Sequence, residues 1–107
     1  MVHAYAILKD PPAITLSDKE LEEYAGAYSG GGDLMYVIRW DGKQLMGERA
    51  SRAGTPLQVE VRDVLFVAGQ PRNRKIFQRD RQGRVIGFVD RREGEDLVWH
   101  RLSGSGS

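Results

Sequence analysis

The pattern of apolar and polar positions predicts one short helix near the start of the chain. Ser17 fits the N-cap position, and Glu20, three residues later, completes a capping box. Leu16 and Leu21 lie where a hydrophobic staple would fix the direction of the incoming chain. Gly26 is expected to end the helix as a C′ residue in the left-handed region. The result is a helix of about two turns, too short to be stable unless it packs against other elements.

Beyond three consecutive glycines at residues 30–32, apolar and polar residues alternate with the two-residue period of strands. Turn sequences separate these stretches, and Asp41-Gly42 in particular predicts a two-residue hairpin turn. The expected strands cover residues 34–40, 43–48, 57–61, 64–67, 75–79, 84–90 and 97–102. This pattern predicts a mainly β fold, a small antiparallel up-and-down meander that forms a barrel or half-barrel, with one short N-terminal helix.

The length allows one small domain, since 107 residues are too few for two ordinary ones. Residues 2–8 read as a strand, and Pro11-Pro12 then interrupts it. This strand is either the end of a preceding domain or the first strand of this one. Residues 103–107, Ser-Gly-Ser-Gly-Ser, have the composition of a flexible linker or tag. We therefore divide the chain into residues 1–12 (strand and proline linker), 13–102 (β-rich domain) and 103–107 (tail).

The composition excludes several classes of function but favours none of those that remain. Lys and Arg number 16 and Asp and Glu 15, so the formal net charge of +1 gives no bulk attraction to nucleic acid or membrane. The sequence has no cysteine, which excludes disulfides, thiolate metal sites and a cysteine nucleophile. No apolar run approaches the ~20 residues of a membrane span. We expect no membrane association and no signal peptide in this sequence, and the cellular compartment stays open.

Patterns typical of catalysis or metal binding are absent from the sequence. No serine lies in a G-x-S-x-G or S-x-x-K arrangement. His3 and His100 lie near opposite ends of the chain and, even if they met at a barrel seam, would lack the third protein ligand of catalytic zinc. The acidic residues between positions 90 and 96 lack the spacing of a calcium loop. We therefore expect no catalytic residue, no metal and no cofactor.

Two groups of residues are candidates for binding. A filled barrel interior is the default, but a partly open mouth lined by aromatic residues would take a small ligand. The candidate residues for that mouth are Tyr36, Trp40, Phe88 and Trp99.

The second candidate is a basic stretch at residues 72–92. It contains eight basic residues and two acidic ones, Asp80 and Asp90, which gives a local charge of +6. Its candidate anion-binding residues are Arg72, Arg74, Lys75 and Arg79. Solubility of the outer sheet face is the simpler explanation of these charges. Nucleic acid is the less favoured partner, because no RNP-like or OB-type aromatic motif accompanies them.

Three motifs in order resemble a known family. Residues 16–28 are similar to its "L-x-x-x-x-L-x-x-Y-x-G-x-Y" opening and residues 41–45 to its "D/E-G-x-x-L" hairpin. Residues 76–88 are similar to its "I-x-F-x-R-D-x-x-G-x-V-x-G-F/L" hairpin and match it from Phe77 onward. The family is a functionally uncharacterised β-rich domain, appended C-terminally to bacterial serine β-lactamase-like hydrolases and ketosteroid-isomerase-like proteins. The resemblance covers residues 16–102. Residues 2–7 also resemble the last strand of the ketosteroid-isomerase-like host.

The resemblance implies a non-catalytic accessory domain of a larger bacterial enzyme, and it supplies no catalytic residues. Its partner would be the host catalytic domain or a second copy of the chain, with residues 2–8 as an edge for dimerisation by strand addition. The alternative is a lipocalin-like barrel that binds a small ligand. A third hypothesis, ranked below these, is binding of an anion or nucleic acid by the arginine-rich hairpin.

Overall fold

The computed structural model describes residues 12–49, 54–70, 72–92 and 95–102. The expected strand and dimerisation edge at residues 2–8, His3 and the tail at residues 103–107 lie outside these described residues. The described elements are α1 (Asp18–Glu22), β1 (Gly26–Gly31), β2 (Leu34–Trp40), β3 (Leu45–Arg49), β4 (Thr55–Val61), β5 (Val64–Val67), β6 (Arg74–Arg79), β7 (Val85–Arg92) and β8 (Glu95–Arg101).

The strands form a closed barrel in sequence order. Each strand pairs antiparallel with the next, and β8 returns to β1, where Arg101 lies opposite Tyr28 and His100 opposite Ser29. The predicted mainly β meander with one short helix is confirmed, and the sheet is a barrel rather than a half-barrel. His100 is exposed on the outer face of β8, as alternation with the buried Trp99 requires.

The helix begins as predicted and ends earlier than predicted. The Ser17 Oγ accepts a hydrogen bond from the Glu20 N–H, and the Glu20 carboxylate accepts one from the Ser17 N–H, so the capping box is complete. The C-cap is Glu23, and Gly26 is the first residue of β1 with φ 154°. The expectation that Gly26 is the C′ residue is therefore wrong, because the chain leaves the helix early enough to bury the ring of Tyr24 in the barrel.

The hairpin between β2 and β3 also differs in detail from the prediction. It contains four residues, 41–44, where Asp41-Gly42 alone predicts two. The Asp41 Oδ1 accepts hydrogen bonds from the N–H groups of Lys43 (2.7 Å) and Gln44 (2.8 Å). This side chain binds the backbone ahead of it and so stabilises the longer turn.

Aromatic residues fill much of the barrel interior. Phe88, fully buried on β7, lies at their centre, with its ring centroid 4.9 Å from that of Phe77, 5.0 Å from Tyr28 and 5.9 Å from Trp99. Most of these contacts are edge-on or tilted, the geometries that aromatic rings favour. The buried cluster consists of Tyr24, Tyr28, Tyr36, Ile38, Leu45, Leu57, Val59, Leu65, Phe77, Val85, Phe88 and Trp99.

Candidate ligand-binding site

The two ends of the barrel have different chemistry. At the end where α1 packs, which we call the helix end, charged groups are paired. The Arg79 Nε donates to the Asp63 carboxylate (2.9 Å), which also accepts from the Tyr24 hydroxyl (2.9 Å). The Arg79 Nη1 lies 2.8 Å from the Glu23 Oε1. The Arg101 guanidinium donates to backbone carbonyls at the end of the helix, including that of Glu23. These contacts hold the helix against its end of the barrel.

The opposite end contains a cavity of about 350 Å³, and we call it the cavity end. It lies where β3 ends and β4 begins, next to the connection between β5 and β6. Its lining mixes three cationic side chains with polar and apolar ones: Tyr36, Gly47, Arg49, Thr55, Val67, Gln70, Asn73, Lys75 and Arg92. Its volume is at the lower end of the range for small-molecule pockets, roughly 300–1,000 Å³.

Strand alternation and register place the chemical groups of this cavity. Lys75 on β6 follows the same inward face as the buried Phe77, and its register partner across the β6–β7 ladder is Asp90. Arg92 lies two residues after Asp90 on β7, on the same face. Elsewhere in the barrel, Arg49 of β3 lies opposite Tyr36 of β2 in the strand register.

Gly47 leaves room for the Tyr36 ring. A Cβ at this position would overlap the Tyr36 hydroxyl. The absence of a side chain in the middle of β3 therefore lets the tyrosine reach across the wall of the cavity. Among the described residues, the Tyr36 hydroxyl has no hydrogen-bond partner.

Lys75, Asp90 and Arg92 form a connected charged group. The Lys75 Nζ lies 3.3 Å from the Asp90 Oδ1, and the Arg92 Nη2 lies 3.1 Å from the Asp90 Oδ2. The side chains of Lys75 and Asp90 are 9% and 3% exposed. The Lys75 Nζ also lies 5.1 Å from the centroid of the Tyr36 ring and 5.9 Å from that of Phe88, within reach of a cation–π interaction.

Burial acts on the protonation of both Lys75 and Tyr36. It lowers the pKa of the Lys75 amine, against the opposing attraction of Asp90. It raises the pKa of the Tyr36 hydroxyl, and the neighbouring Asp90 charge raises it further. The cavity therefore holds a protonated phenol beside an ammonium group whose charge is disfavoured by its surroundings.

Positive charge exceeds negative charge in this site. Among the described residues, three cations (Arg49, Lys75 and Arg92) accompany one carboxylate, that of Asp90, which gives a formal local charge of +2. Asp90 is shared between Lys75 and Arg92, and the described part of the chain offers neither cation a second carboxylate. The Arg49 guanidinium lies 5.8 Å from the Trp99 ring centroid, and within the described parts of the chain it has no ion pair. The described lining of the cavity therefore carries an excess of positive charge.

The structure brings together three of the four aromatic residues predicted to line a barrel mouth. Tyr36 lines the cavity, and the rings of Phe88 and Trp99 lie below it in the core, with centroids 5.7 and 5.8 Å from that of Tyr36. Trp40 lies at the far end of β2, opposite Leu45, and packs against the core near the helix end. Only Tyr36 of these four lines the cavity.

The four predicted anion-binding residues do not share one place. Lys75 lines the cavity, whereas Arg79 lies at the helix end and is paired with Asp63. Arg74 points to the outer face, where its Nε lies 2.6 Å from the Glu60 Oε1. Arg72 is exposed in the connection between β5 and β6. Lys75 is thus the member of this set that lies beside further cationic side chains, those of Arg49 and Arg92.

Four residues of the candidate site were not selected as binding residues from the sequence: Gly47, Arg49, Asp90 and Arg92. Asp90 carried a usable signal, because it alternates with Phe88 and so occupies an inward position on β7. A glycine in the interior of a strand, as at Gly47, is a known sign of close approach by another group. Arg92 alternates with Asp90 in the same way, but nothing along the chain shows that Arg49 and Arg92 line one cavity, since their strands are not neighbours in the sheet.

The described residues contain no group of three or more histidine, cysteine or acidic side chains arranged to hold a metal ion. They also contain no helix long and apolar enough to span a membrane. Comparison of the chain with family profiles, with curated proteins and with solved structures finds no match.

Proposed function

We propose that this domain binds a small anionic ligand in the cavity end of its barrel. The observation that carries this proposal is the cavity of about 350 Å³ lined by Arg49, Lys75 and Arg92, with Asp90 as the shared counter-ion. The proposal unites two hypotheses that the sequence analysis kept apart, a barrel that binds a small ligand and a basic site that binds an anion.

The partial burial of the cations supports specific binding over diffuse attraction. The Lys75 side chain is 9% exposed and that of Arg92 is 40% exposed. A charge-assisted hydrogen bond to such groups contributes about 1.5–3 kcal/mol, more than a fully solvated pair does. Two such contacts contribute about 3–6 kcal/mol, which corresponds to an affinity between several millimolar and tens of micromolar.

The other lining residues suggest what the rest of the ligand is like. Val67 and the Tyr36 ring offer apolar contact, and Thr55, Gln70 and Asn73 offer hydrogen-bonding groups. These residues suit a compact organic anion with a polar substituent. A carboxylate or phosphate group would lie among the cations.

A titration with sodium lactate tests the proposal, with lactamide as the neutral analogue of the same size. The chain has two tryptophans, and a Trp40→Phe background leaves the fluorescence of Trp99, whose ring lies 5.8 Å from the Arg49 guanidinium. Ionic strength is held constant, because salt screens exposed charges. We expect saturable binding of lactate and none of lactamide.

Arg49→Gln provides the matching variant, since it removes a cation that has no ion pair in the described parts of the chain. It should weaken lactate binding by about tenfold or more, the equivalent of 1.4 kcal/mol or above. Arg39→Gln is the control, because Arg39 lies on the same hairpin but on the outer face, 3.0 Å from Glu48. Equal affinities of both variants and the parent protein would contradict the proposal.

The accessory role implied by the family resemblance stays a prediction. It is compatible with anion binding, because the cavity lies inside the barrel while a host domain would contact the outer surface. Among outward residues, Ile86 and Val98 are 46% and 44% exposed, which such a contact would cover.

A further inference from the structure

We propose that Lys75 forms an imine with a small carbonyl compound that carries an anionic group, of which an α-keto acid is the simplest example. This inference rests on the proposed anion binding and assigns a covalent reaction to the same cavity. It concerns the one amine that the described residues place inside the barrel.

The geometry of Lys75 differs from that of a lysine held only by an ion pair. Its single described hydrogen bond, to the Asp90 Oδ1, is 3.3 Å long, whereas charge-assisted N–H···O bonds are usually about 2.7–2.9 Å. Its other neighbours are the faces of the Tyr36 and Phe88 rings. Two of its three N–H groups therefore have no described oxygen partner, and the Nζ borders the cavity that a ligand would enter.

The environment lowers the pKa of the Lys75 amine and so increases the fraction of the neutral, nucleophilic form at a given pH. Burial disfavours the ammonium charge of Lys75, and Arg49 and Arg92 act in the same direction. Asp90 opposes them, but its other oxygen is already bound by Arg92 at 3.1 Å. A lysine desolvated near other cations is a recognised way to activate an amine for attack on a carbonyl group.

The reaction begins when the Lys75 ammonium transfers a proton to water. The Nζ then attacks the carbonyl carbon, a C–N bond forms, and the carbonyl oxygen takes up a proton. Loss of water breaks the C–O bond and gives the imine. The balance is one amine and one carbonyl compound to one imine and one water, with no oxidation or reduction.

Tyr36 and the arginines would position the carbonyl compound. The Tyr36 hydroxyl is protonated at neutral pH, since burial raises its pKa, and it is free to donate to the oxygen that leaves as water. Arg49 and Arg92 lie on the lining of the same cavity and would hold the anionic group. The site thus binds both ends of an α-keto acid.

Reductive trapping tests this reaction. The protein is incubated with sodium pyruvate and sodium cyanoborohydride, and the modified lysines are mapped by mass spectrometry after digestion. Lys19 and Lys43 serve as internal controls, because both are exposed amines in the same chain. We expect Lys75 to be modified several-fold more than either control, and an excess of lactate to suppress that modification. Modification of Lys19 and Lys43 at rates equal to or above that of Lys75 would overturn the inference.

Two measurements, lactate binding and trapping with pyruvate, separate this inference from the anion binding on which it rests. Lys75→Arg keeps the charge without a nucleophilic amine, and Lys43→Arg is the matched control. If wild-type protein binds lactate but Lys75 is not trapped with pyruvate, the imine is refuted and anion binding stands. If lactate does not bind and Lys75 is not trapped, both fail. If Lys75 is trapped but lactate neither binds nor competes, the amine is reactive and the anion subsite is refuted.

Discussion

Replacement of Asp90 by Asn tests the buried charged group on which the site depends. The substitution keeps the shape of the side chain but removes the negative charge shared by Lys75 and Arg92. Asp90 is 3% exposed, so water cannot replace the lost charge. Removing one member of a buried pair usually costs about 3–5 kcal/mol, because the partner is left as an uncompensated charge.

The lower end of that range is expected here. Lys75 can lose its proton in the variant, since burial already lowers its pKa, and Arg92 is partly exposed to water. We therefore expect Asp90→Asn to lower the free energy of unfolding by about 3 kcal/mol, a large share of the roughly 5–15 kcal/mol of a typical domain. Urea unfolding followed by tryptophan fluorescence measures this loss.

Two comparisons make the test specific. Lys75→Met should cost about 1 kcal/mol or less, because Asp90 keeps Arg92 at 3.1 Å and methionine fills the space of the lysine stem. Asp96→Asn removes an exposed carboxylate 3.3 Å from Arg91 and should cost about 1 kcal/mol at most. The reasoning is refuted if Asp90→Asn is no more destabilising than Asp96→Asn, or if Lys75→Met costs as much as Asp90→Asn.

Three further predictions concern the wall of the cavity, the helix and the helix end. Gly47→Ala should displace the Tyr36 hydroxyl, destabilise the protein by about 1–3 kcal/mol in urea unfolding and reduce lactate binding in the Trp99 assay. Ser17→Ala removes the capping box and should cost about 1 kcal/mol of unfolding free energy, whereas a change below experimental error would contradict the role of the cap. Asp63 gains stabilising hydrogen bonds from Arg79 and Tyr24 that outweigh the effect of burial and hold the pKa of its carboxyl below the ordinary value. Its contribution is therefore present above about pH 4 and is lost as the pH falls through the folded-state pKa, so the stability difference between wild type and Asp63→Asn should shrink in acid unfolding curves.

Local sequence signals were sufficient for the class of fold and for most elements, but not for β1 (Gly26–Gly31), which lies outside the expected strands. The capping box at Ser17 and Glu20 is a contact between residues three apart, so its pattern is visible in the sequence. The alternation around Tyr36 and Ile38 identified an inward face, and both residues are buried. Gly26 was misassigned because a glycine after a helix serves equally well as a C′ residue or as the start of a strand packed closely on its neighbours.

The site was harder to predict because it depends on contacts between distant strands. Lys75 was selected as one of several basic residues, and only the β6–β7 register shows that it faces Asp90 inside the barrel. Arg79 lies four residues further on the same face, yet it belongs to the other end of the barrel and is paired there. Arg49 on β3 and Arg92 on β7 line the same cavity although their strands are not neighbours in the sheet, so spacing along the chain does not reveal this arrangement.

The most direct test of the central claim is a titration of ¹⁵N-labelled protein with sodium lactate at constant ionic strength, followed by ¹H–¹⁵N correlation spectra. The account predicts saturable shifts of amides around the cavity, such as those of Gly47, Thr55 and Asn73, and no shifts at Gly83 and Lys43 near the helix end. Lactamide should leave all of them unchanged. Shifts scattered over the outer surface, or no saturable shift at the cavity, would contradict the assignment of this end of the barrel as an anion-binding site.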